Sequence, residues 1–493
     1  MRTGADYLSS RSDGRRVWTL GVGRVDDVAR HPATAAMTQY YADWYDRLRD
    51  PHASEVLFTS PQRPGEARRP WCFEVPTTVE HVRRMGAAFR DELLRTAGNV
   101  THNPAYGGLL ALGLVDLVSA VPDLHGRVDH ARALHRSIVT TGRFITFASR
   151  VGAVSDRFRP AGAREPAQKI REVPGGIIVA GTTHMHTAAV YADDVLVLGG
   201  DATRAETWAW FTVPLSAKGV TIVSRSPSSR QATSFAAPLS SRFDELDSYL
   251  TLDQVFVPQG DIYLEGREIA FARHQELAVW ILWHQILGWL ARAEFTLGLA
   301  VAVVDSLSAY DEPVMRERLI DATTEVQLIR SCLSAAELGA SPTAAGHMLP
   351  SRPDLAAAAI QAVRARPRVT EILRLLCGSA GVLAPTDSDL DDPAIGASLE
   401  QAFGGGGYTA RQRSALLHLV MDHLSSGLEA REYAYELFSN GGMAAFRDRL
   451  RRGFADYTEL ANAAVASLNV GSTPYPRVDA EGLGRERRRG PGG

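Results

Sequence analysis

Apolar residues recur at three- and four-residue spacing in several stretches of the first 148 residues, which is the period of an amphipathic helix. This pattern predicts helices at Thr34–Leu48, Thr78–Thr96 and Gly107–Val121. Because proline rarely continues a helix, prolines just outside these stretches mark their limits. These prolines are Pro32, Pro51, Pro104 and Pro122.

Strand-like runs replace the helical pattern between residues 149 and 266, and turn residues separate the runs at short intervals. The predicted strands are Gly176–Gly181, Asp194–Leu198, Trp208–Val213, Gly219–Ser224 and Tyr249–Val257. Short strands with frequent turns are typical of an antiparallel barrel or sandwich. The middle of the chain is therefore predicted to be a β domain.

Helical periodicity returns from residue 267 in long segments rich in alanine and leucine, with loops at Gly378–Pro393 and Gly404–Gly407. The whole pattern predicts an α+β protein built from successive helical, β and helical domains. The predicted domains are residues 1–148, 149–266 and 267–470, followed by a flexible tail at 471–493.

The charge and cysteine content exclude several classes of protein. A formal net charge of -3 gives no reason to expect nucleic acid or an anionic membrane as a partner. The three cysteines lie far apart and show neither disulfide nor metal-ligand spacing, and the N-terminus lacks the apolar core of a signal peptide. These features predict a cytoplasmic protein without a metal site.

The most apolar stretch of the chain is Leu277–Ala291, which carries no formal charge. With about 15 residues it is shorter than the roughly 18 to 20 that are needed to span a membrane. It therefore predicts a helix that is buried in a core or in a subunit interface. A homotetramer assembled on the C-terminal helices would bury such a helix.

Two glycine motifs and one histidine pair do not match the sites that they suggest. Gly21–Asp26 lacks the final small residue of a dinucleotide fingerprint, and Gly404–Gly407 lacks the Lys-Ser/Thr of a phosphate-binding loop. His184 and His186 have no further ligand nearby, so a polar pocket wall is favoured over a metal site. If the protein is a redox enzyme, the lack of a dinucleotide motif predicts that its reducing equivalents arrive already loaded on a flavin.

A series of short motifs runs through nearly the whole chain. They are Thr3–Leu8, Arg24–Pro32, His184–Ala189, Tyr191–Asp194, Phe211–Pro214, Ala237–Glu245, Gly378–Gly381 and Arg431–Tyr433. In these motifs the chain resembles the 4-hydroxyphenylacetate 3-hydroxylase family, whose members are FADH2-dependent oxygenases that work with a separate flavin reductase. The most specific motif is Ala237–Glu245, which resembles the family segment that crosses the flavin pocket.

This resemblance implies a fold, a cofactor and a reaction. The fold would be the acyl-CoA dehydrogenase-like one, usually a homotetramer. Reduced FAD would react with dioxygen to give a C4a-hydroperoxide, and its terminal oxygen would pass to an electron-rich carbon. The protein would chiefly hold the substrate in position and exclude water.

The resemblance also implies cofactor-binding residues. They are Arg150, Thr187, Ala188, Ser240, Ser241, Arg242 and Gly381. The Thr187 hydroxyl would bond the N5 or O4 edge of the flavin, and the arginines would pair with pyrophosphate or ribose. An ordinary strand threonine, surface arginines and structural serines are the alternatives at these positions.

The substrate contacts depart from the family pattern. Its phenol hydroxylases hold the substrate hydroxyl with an arginine, a tyrosine four residues later and a histidine further on. Here Tyr106 keeps the tyrosine, but His102 stands at the arginine position and Phe147 at the histidine position. The resemblance implies that His102 and Tyr106 are catalytic and that all three residues bind the substrate. A helix-end histidine and a core tyrosine are the alternatives.

These replacements bear on the substrate. Phe147 makes one corner of the pocket apolar, and His102 cannot supply the permanent charge of an arginine. A simple phenol of the 4-hydroxyphenylacetate type is therefore not expected. An indole, a pyrrole, an aniline or a carrier-tethered aromatic group fits at least as well, and oxidation at a heteroatom stays open.

Other flavin functions remain open at this point. A dehydrogenase of related fold would need a carboxylate base at the substrate carbon, and the sequence does not place one. A related dehydratase would hold an iron–sulfur cluster through cysteines, and none lies between His102 and Tyr106. A non-catalytic flavin-binding protein is the third alternative.

Overall fold

The structure is a computed structural model, and it describes residues 1–50, 55–59, 68–149, 166–201, 204–229, 233–451 and 454–468. Helices occupy both ends of the chain, and two β-sheets lie between them. Arg150 and the predicted tail at 471–493 lie outside the described residues. The predictions made for them stay predictions.

The helices fall into two groups along the chain. The N-terminal helices are α1 (Gly4–Ser9), α2 (Ala35–Arg47), α3 (Val79–Leu94), α4 (Pro104–Ser119) and α5 (Val128–Thr141). The first C-terminal helices are α6 (Arg267–Ser306), α7 (Pro313–Leu338), α8 (Arg352–Cys377), α9 (Asp387–Asp391) and α10 (Gly396–Phe403). The remaining helices are α11 (Ala410–Ser425), α12 (Gly427–Phe438), α13 (Gly442–Arg451) and α14 (Phe454–Leu468).

The strands form two large sheets and one short hairpin in the described residues. The strands are β1 (Val17–Thr19), β2 (Gly23–Val25), β3 (Ile145–Ser149), β4 (Gln168–Val173), β5 (Gly176–Thr187), β6 (Asp194–Asp201), β7 (Arg204–Pro214), β8 (Val220–Ser224), β9 (Asp247–Pro258), β10 (Ile262–Glu265), β11 (Ser341–Pro342) and β12 (Met348–Leu349). One sheet has the order β2-β1-β8-β9-β5-β4 and the other β10-β7-β6-β3. The two sheets pack against each other and share one core.

The β part is a sandwich of mixed sheets. Among the described residues neither sheet closes on itself, so the barrel alternative does not apply. The predicted strands lie within β5 to β9 to within one residue, and these strands pair antiparallel. Strands β1 and β3 come from the N-terminal part of the chain and pair in parallel with β8 and β6. A parallel pair needs a long crossover, which local turn signals do not reveal.

Helix α4 begins three residues before the predicted start at Gly107. Pro104 stands inside its first turn, where proline is tolerated because the first helical N–H groups have no partner in the helix. The side chain of Asn103 caps the helix by accepting a bond from the backbone N–H of Tyr106. Pro104 thus marks the helix limit, as predicted, but as the first helical residue and not as a residue outside the helix. The earlier start places His102 and Tyr106 on either side of the cap.

Helix α6 is the core helix of the molecule. Its segment Leu277–Ser306 is long and apolar enough to cross a membrane by length and composition, but 67% of the most apolar window is buried. Gly113 of α4 lies so close to it that a Cβ there would stand 2.9 Å from the Cα atom of Leu277. Leu277–Ala291 is thus buried within one chain and no longer argues for a subunit interface. The homotetramer stays a prediction.

Candidate functional site

The N-terminus of α4 places two of the predicted substrate residues side by side. His102 directly precedes the cap residue Asn103, and Tyr106 lies in the first turn of the helix. Both side chains are buried, and their ring centroids are 4.5 Å apart. The hydroxyl of Tyr41, on α2, donates to the carbonyl oxygen of His102 at 2.8 Å. The position of His102 is therefore fixed by both neighbouring helices.

A buried carboxylate, Glu245, lies beneath His102. Its Oε2 accepts the backbone N–H of His102 at 3.0 Å, and its Oε1 accepts the backbone N–H and hydroxyl of Thr101 at 3.0 and 3.1 Å. The Nδ1 atom of His102 lies 3.5 Å from Oε1. Burial disfavours the ionised form, but His102, the guanidinium of Arg431 and the N–H of Thr101 outweigh it and lower the pKa of Glu245. Glu245 is therefore an anion.

Helices α6 and α12 close the other side of His102. The hydroxyl of Tyr435, on α12, lies 3.4 Å from Nε2 of His102, and it accepts a hydrogen bond from Gln285 of α6. His284 lies next to Tyr106, with ring centroids 5.9 Å apart. Burial lowers the pKa of His284 to about 3, so this imidazole is neutral. Neither of its ring nitrogens has a hydrogen-bond partner among the described residues.

Phe147 lies on β3, the strand that packs beside α4. Gly107 permits this close packing, because a Cβ there would stand 3.0 Å from the carbonyl oxygen of Ile145. Side chains alternate along a strand, so Phe147 shares the face of Ile145 that meets α4. Phe147 is half-buried, and its carbonyl oxygen lies 3.2 Å from Nδ1 of His186. The predicted apolar residue is thus on the strand next to the helix that carries Tyr106.

A second buried cluster surrounds Thr187 at the end of β5. The register of β5 and β9 sets Thr187 opposite Asp247. The hydroxyl of Thr187 donates to Asp247 at 2.7 Å and accepts from Arg431 at 2.9 Å. Burial works against ionisation of Asp247, but Arg431 and Arg225 overcome it and lower its pKa. The hydroxyl proton of Thr187 is therefore committed to a carboxylate.

Arg431 of α12 joins the two clusters. It bonds Asp247 through Nη2 at 2.7 Å and through Nε at 2.8 Å, and its Nη1 lies 3.6 Å from Oε1 of Glu245.

The next residue after Thr187, Ala188, is fully buried and adopts a left-handed conformation with φ of 63°. A non-glycine residue held in this conformation stores strain, which is common at functional sites.

Two further predicted cofactor residues, Ser240 and Gly381, lie against α11. Asp422 of α11 accepts the backbone N–H of Leu239 and of Ser240 at 2.7 and 2.9 Å, and also the Ser240 hydroxyl at 2.7 Å. Gly381 lies against the same helix, because a Cβ there would stand 2.8 Å from the side chain of Met421. Within this chain, the Ser240 hydroxyl is thus bonded to Asp422, and the absence of a side chain at Gly381 allows close packing against α11.

Ser241 and Arg242 directly follow Ser240 in the chain and differ in their exposure. The Ser241 hydroxyl oxygen is buried and has no hydrogen-bond partner among the described residues, whereas Arg242 is exposed. A buried hydroxyl without a partner is costly unless a ligand or water satisfies it. These two residues fit the oxygens of a phosphorylated cofactor such as FAD.

Sequence reasoning missed four residues that hold the site together and one that packs beside Tyr106. The four are Glu245, Asp247, Arg431 and Tyr435, and the packing residue is His284. Glu245 and Arg431 stand inside the motifs Ala237–Glu245 and Arg431–Tyr433, so the resemblance contained a signal for both. Their pairing was not readable, since the partners lie far apart along the chain. The structure brings His102 and Tyr106 together and connects them to Thr187.

Comparison with known proteins covers almost the whole chain. The family model described as "4-hydroxyphenylacetate 3-hydroxylase N terminal" matches residues 3–264, and the one described as "4-hydroxyphenylacetate 3-hydroxylase C terminal" matches residues 270–466. The oxygenase component of 4-hydroxyphenylacetate 3-monooxygenase from Thermus thermophilus is 27% identical over 452 residues, which cover 89% of this chain and 92% of the relative.

Two further relatives bear on the substrate and the fold. A monooxygenase of Streptomyces globisporus, named for a (3S)-3-amino-3-(3-chloro-4-hydroxyphenyl)propanoyl group on a peptidyl-carrier protein, is 27% identical over 88% of this chain and 84% of its own length. A crystal structure of a 4-hydroxyphenylacetate 3-monooxygenase oxygenase component, complexed with FAD and 4-hydroxyphenylacetate, has a TM-score of 0.86 at 25% identity and covers 95% of this chain and 100% of its own. The chain belongs to the 4-hydroxyphenylacetate 3-hydroxylase family and has its acyl-CoA dehydrogenase-like α+β fold.

Proposed function

We propose that the chain is the oxygenase component of a two-component, FADH2-dependent monooxygenase that hydroxylates a small aromatic or heteroaromatic substrate. The observation that carries the proposal is an unbroken set of contacts from Thr187 through Asp247, Arg431 and Glu245 to His102. It joins a residue expected at the cofactor to a residue expected at the substrate. Family membership supports the same assignment.

The residues expected to hold the flavin are Arg150, Thr187, Ala188, Ser240, Ser241, Arg242 and Gly381. Bound reduced FAD supplies the electrons that activate dioxygen, so that one oxygen atom goes to the substrate. The chain has no dinucleotide fingerprint, and the reduced flavin is therefore expected from a separate NAD(P)H:flavin reductase.

The chain's own residues would position the substrate and keep water out. His102 and Tyr106 are 5% and 1% exposed, so their polar atoms act in a poorly solvated site. Burial, together with the nearby carboxylate of Glu245, raises the pKa of Tyr106, so this phenol stays protonated and donates a hydrogen bond. Holding a reactive group in line with its target accounts for a large part of enzymatic rate enhancement.

The expected substrate is a ring with a neutral polar head group. Both curated relatives compared above have a 4-hydroxyphenyl ring in their substrate names. In this chain the carboxylate beneath His102 is paired with Arg431, and this cation is already engaged by Asp247, Glu245 and Glu432. Among the described residues, no other arginine or lysine pairs with the Glu245 carboxylate or bonds to His102, so an anionic head group would gain no free cation beside His102. A carrier-tethered ring, like that of the Streptomyces relative, is within this class.

The test supplies the protein with reduced FAD from a separate flavin reductase and NADH, in the presence of a panel of phenols, anilines and indoles. The expected product contains one atom of labelled dioxygen and requires both proteins. Oxidation of NADH by the pure chain without a reductase would contradict the two-component assignment. Unlabelled product, or no product from any member of the panel, would contradict the oxygenase assignment.

A further inference from the structure

We propose that a directed hydrogen-bond relay presents the unprotonated Nε2 atom of His102 to the substrate and makes His102 the general base of the reaction. The relay runs through Asn440, Gln285, Tyr435, His102, Thr101 and Glu245. The proposal rests on the proposed function and adds to it the protonation state of the site and the proton that the substrate must lose.

Proton counting fixes the lower half of the relay. Glu245 accepts two backbone N–H groups and lies 3.6 Å from Nη1 of Arg431, and these contacts stabilise the ionised carboxylate whether or not His102 is charged. An ionised carboxylate can only accept hydrogen bonds, so the single proton of the Thr101 hydroxyl points to its Oε1 atom. The same hydroxyl oxygen lies 3.2 Å from Nδ1 of His102 and has no proton left to donate. Nδ1 must therefore carry the hydrogen. In a neutral imidazole this leaves Nε2 with its lone pair.

The upper half of the relay points in the same direction. The side-chain amide of Asn440 donates to Oε1 of Gln285, which turns the amide nitrogen of Gln285 toward Tyr435. The Tyr435 oxygen accepts that bond, so its own proton is directed at Nε2 of His102, 3.4 Å away. Burial raises the pKa of Tyr435 well above its usual value, and this phenol keeps its proton.

The contact between Tyr435 and Nε2 is the weakest link of the relay, since 3.4 Å is long for a hydrogen bond. A substrate O–H or N–H group can replace it at Nε2. The bond between that hydrogen and the substrate breaks, a bond to Nε2 forms, and the electron pair stays on the substrate, where it enriches the ring carbon that receives oxygen. The imidazolium that results is balanced by Glu245, 3.5 Å from Nδ1.

The other groups that face His102 hold their protonation states near neutral pH. They are Tyr41 of α2, Tyr106 of α4, His284 of α6, Arg431 and Tyr435 of α12, and Glu245. The tyrosine pKa values are raised by burial, and that of His284 is lowered to about 3. His102 is therefore the group at this end of α4 that has a lone pair available to take up the substrate proton.

The substrate class follows from this chemistry. A neutral base that is backed by an anion accepts a proton and repels a substrate that has already lost it. The ring should therefore carry an ionisable O–H or N–H group that is still protonated when it binds. Binding of a phenol probe should weaken as the pH rises through the pKa of that phenol.

The first test measures the tautomer and needs no activity. The protein is labelled with 15N-histidine, and the His102 signal is identified by its loss in His102→Gln. The expected signal shows hydrogen on Nδ1 and none on Nε2, and the preference should disappear in Thr101→Val and persist in Thr101→Ser. Hydrogen on Nε2 in the wild-type protein would overturn the relay.

The second test measures turnover against pH with reduced FAD supplied by a reductase. General-base catalysis requires an unprotonated base, so kcat should decline at acid pH, and this decline is the acid limb of the profile. Because general-base catalysis contributes about 10²- to 10⁴-fold, His102→Gln should lower kcat by roughly a hundredfold and abolish the acid limb. Thr101→Val should lower kcat about tenfold and move the limb, with KM little changed. His135→Gln, a histidine change on α5 away from the site, is the control. An acid limb that survives in His102→Gln would overturn the role as base.

The two tests separate this inference from the proposed function. Hydrogen on Nδ1 in a protein that oxygenates nothing supports the relay and refutes the oxygenase assignment. Oxygenation that is unaffected in His102→Gln supports the assignment and refutes the base. Glu245 is left unchanged in both tests, because its carboxylate also holds two backbone N–H groups, and the Thr101 variants decide the question.

Discussion

Tyr106 and Thr187 show how much of a residue's hydrogen-bonding capacity is already used inside the chain. The Thr187 hydroxyl donates its hydrogen bond to Asp247 and accepts one from Arg431, which leaves one lone pair of its oxygen free. Tyr106 is buried against His102 and keeps its proton, because burial raises its pKa. Thr187 is therefore left as an acceptor, whereas Tyr106 can donate.

Tyr106→Phe should slow product formation by about ten- to a hundredfold. Loss of one hydrogen bond to the substrate costs roughly 1 to 3 kcal/mol, and 1.4 kcal/mol corresponds to a factor of ten in rate. Binding of reduced FAD should not change, since Tyr106 is expected to address the substrate. Single-turnover product yield and anaerobic flavin titration measure the two effects. Equal rates of product formation for the variant and the wild type would show that Tyr106 does not contact the substrate.

The chain is expected to bind reduced FAD more tightly than oxidised FAD, and Thr187→Val should narrow this difference. Reduced flavin has an N5–H group that donates a hydrogen bond to an acceptor, whereas N5 of oxidised flavin is itself an acceptor and needs a donor. Because Thr187 is left as an acceptor, the variant should lose about tenfold in affinity for reduced FAD and less for oxidised FAD. Anaerobic titrations of both forms check this. Equal losses would place Thr187 away from N5.

At this scale the sequence indicated which residues belong to the site but not what holds them. His102 and Tyr106 are readable because a local motif carries them. Glu245 is not readable as their support, since 143 positions separate it from His102. Arg431 is likewise 244 positions from Thr187. Periodicity reports local geometry, and it contains nothing about which buried charges pair across the fold.

At the scale of elements, helix α11 holds the segment that precedes β9. A single carboxylate, Asp422, accepts two backbone N–H groups and one hydroxyl from Leu239 and Ser240. This segment leads into Asp244, Glu245 and Asp247, which support both halves of the site. Its attachment therefore couples the C-terminal helices to the predicted cofactor residues.

Asp422→Asn should lower both thermal stability and FAD affinity. The amide keeps one acceptor oxygen, so at least one buried donor loses its partner at a cost of about 1 to 3 kcal/mol. Differential scanning calorimetry and flavin titration measure the two losses. Asp391→Asn is the matched control, since that aspartate is 73% exposed and its ion pair contributes little. An unchanged FAD affinity in Asp422→Asn would show that this segment does not contribute to FAD binding.

The helices and middle strands follow from periodicity, but two features do not. The start of α4 depends on a cap at Asn103 that tolerates Pro104 in the first turn. The parallel pairing of β1 and β3 depends on contacts across the whole β sandwich. The cap is a local signal that the apolar period does not contain, whereas the parallel pairing is decided by tertiary contacts.

At the scale of the whole molecule, buried groups with opposing pKa shifts make stability depend on pH. Burial lowers the pKa of His135, His186 and His284 to about 4, 4 and 3. Below about pH 6.5 the unfolded chain takes up protons at these sites and the folded chain does not, so stability falls as pH falls toward 4. Burial also raises the pKa of Glu337 and Glu436 to about 7, which favours the folded state in the same range. The net dependence of stability on pH is therefore the difference between the histidine and the glutamate contributions.

The contribution of His135 to the pH dependence of stability can be measured separately in a variant. His135→Gln should lose less stability than the wild type between pH 6.5 and 4, by up to about 1.4 kcal/mol per pH unit. The comparison of melting temperatures across this range, variant against wild type, measures the effect. Parallel curves would mean that His135 is protonated in the folded protein.

The most direct test of the account follows the oxidation of reduced FAD by dioxygen in a stopped-flow instrument, with and without the protein. Chemically reduced FAD is used, so that no reductase is needed. The protein should consume dioxygen while it delays the return of the oxidised flavin spectrum, and an accepted aromatic substrate should shorten that delay and take up one labelled oxygen atom. Flavin oxidation at the rate of free FADH2, with no delay and no labelled product, would contradict the assignment as an oxygenase component.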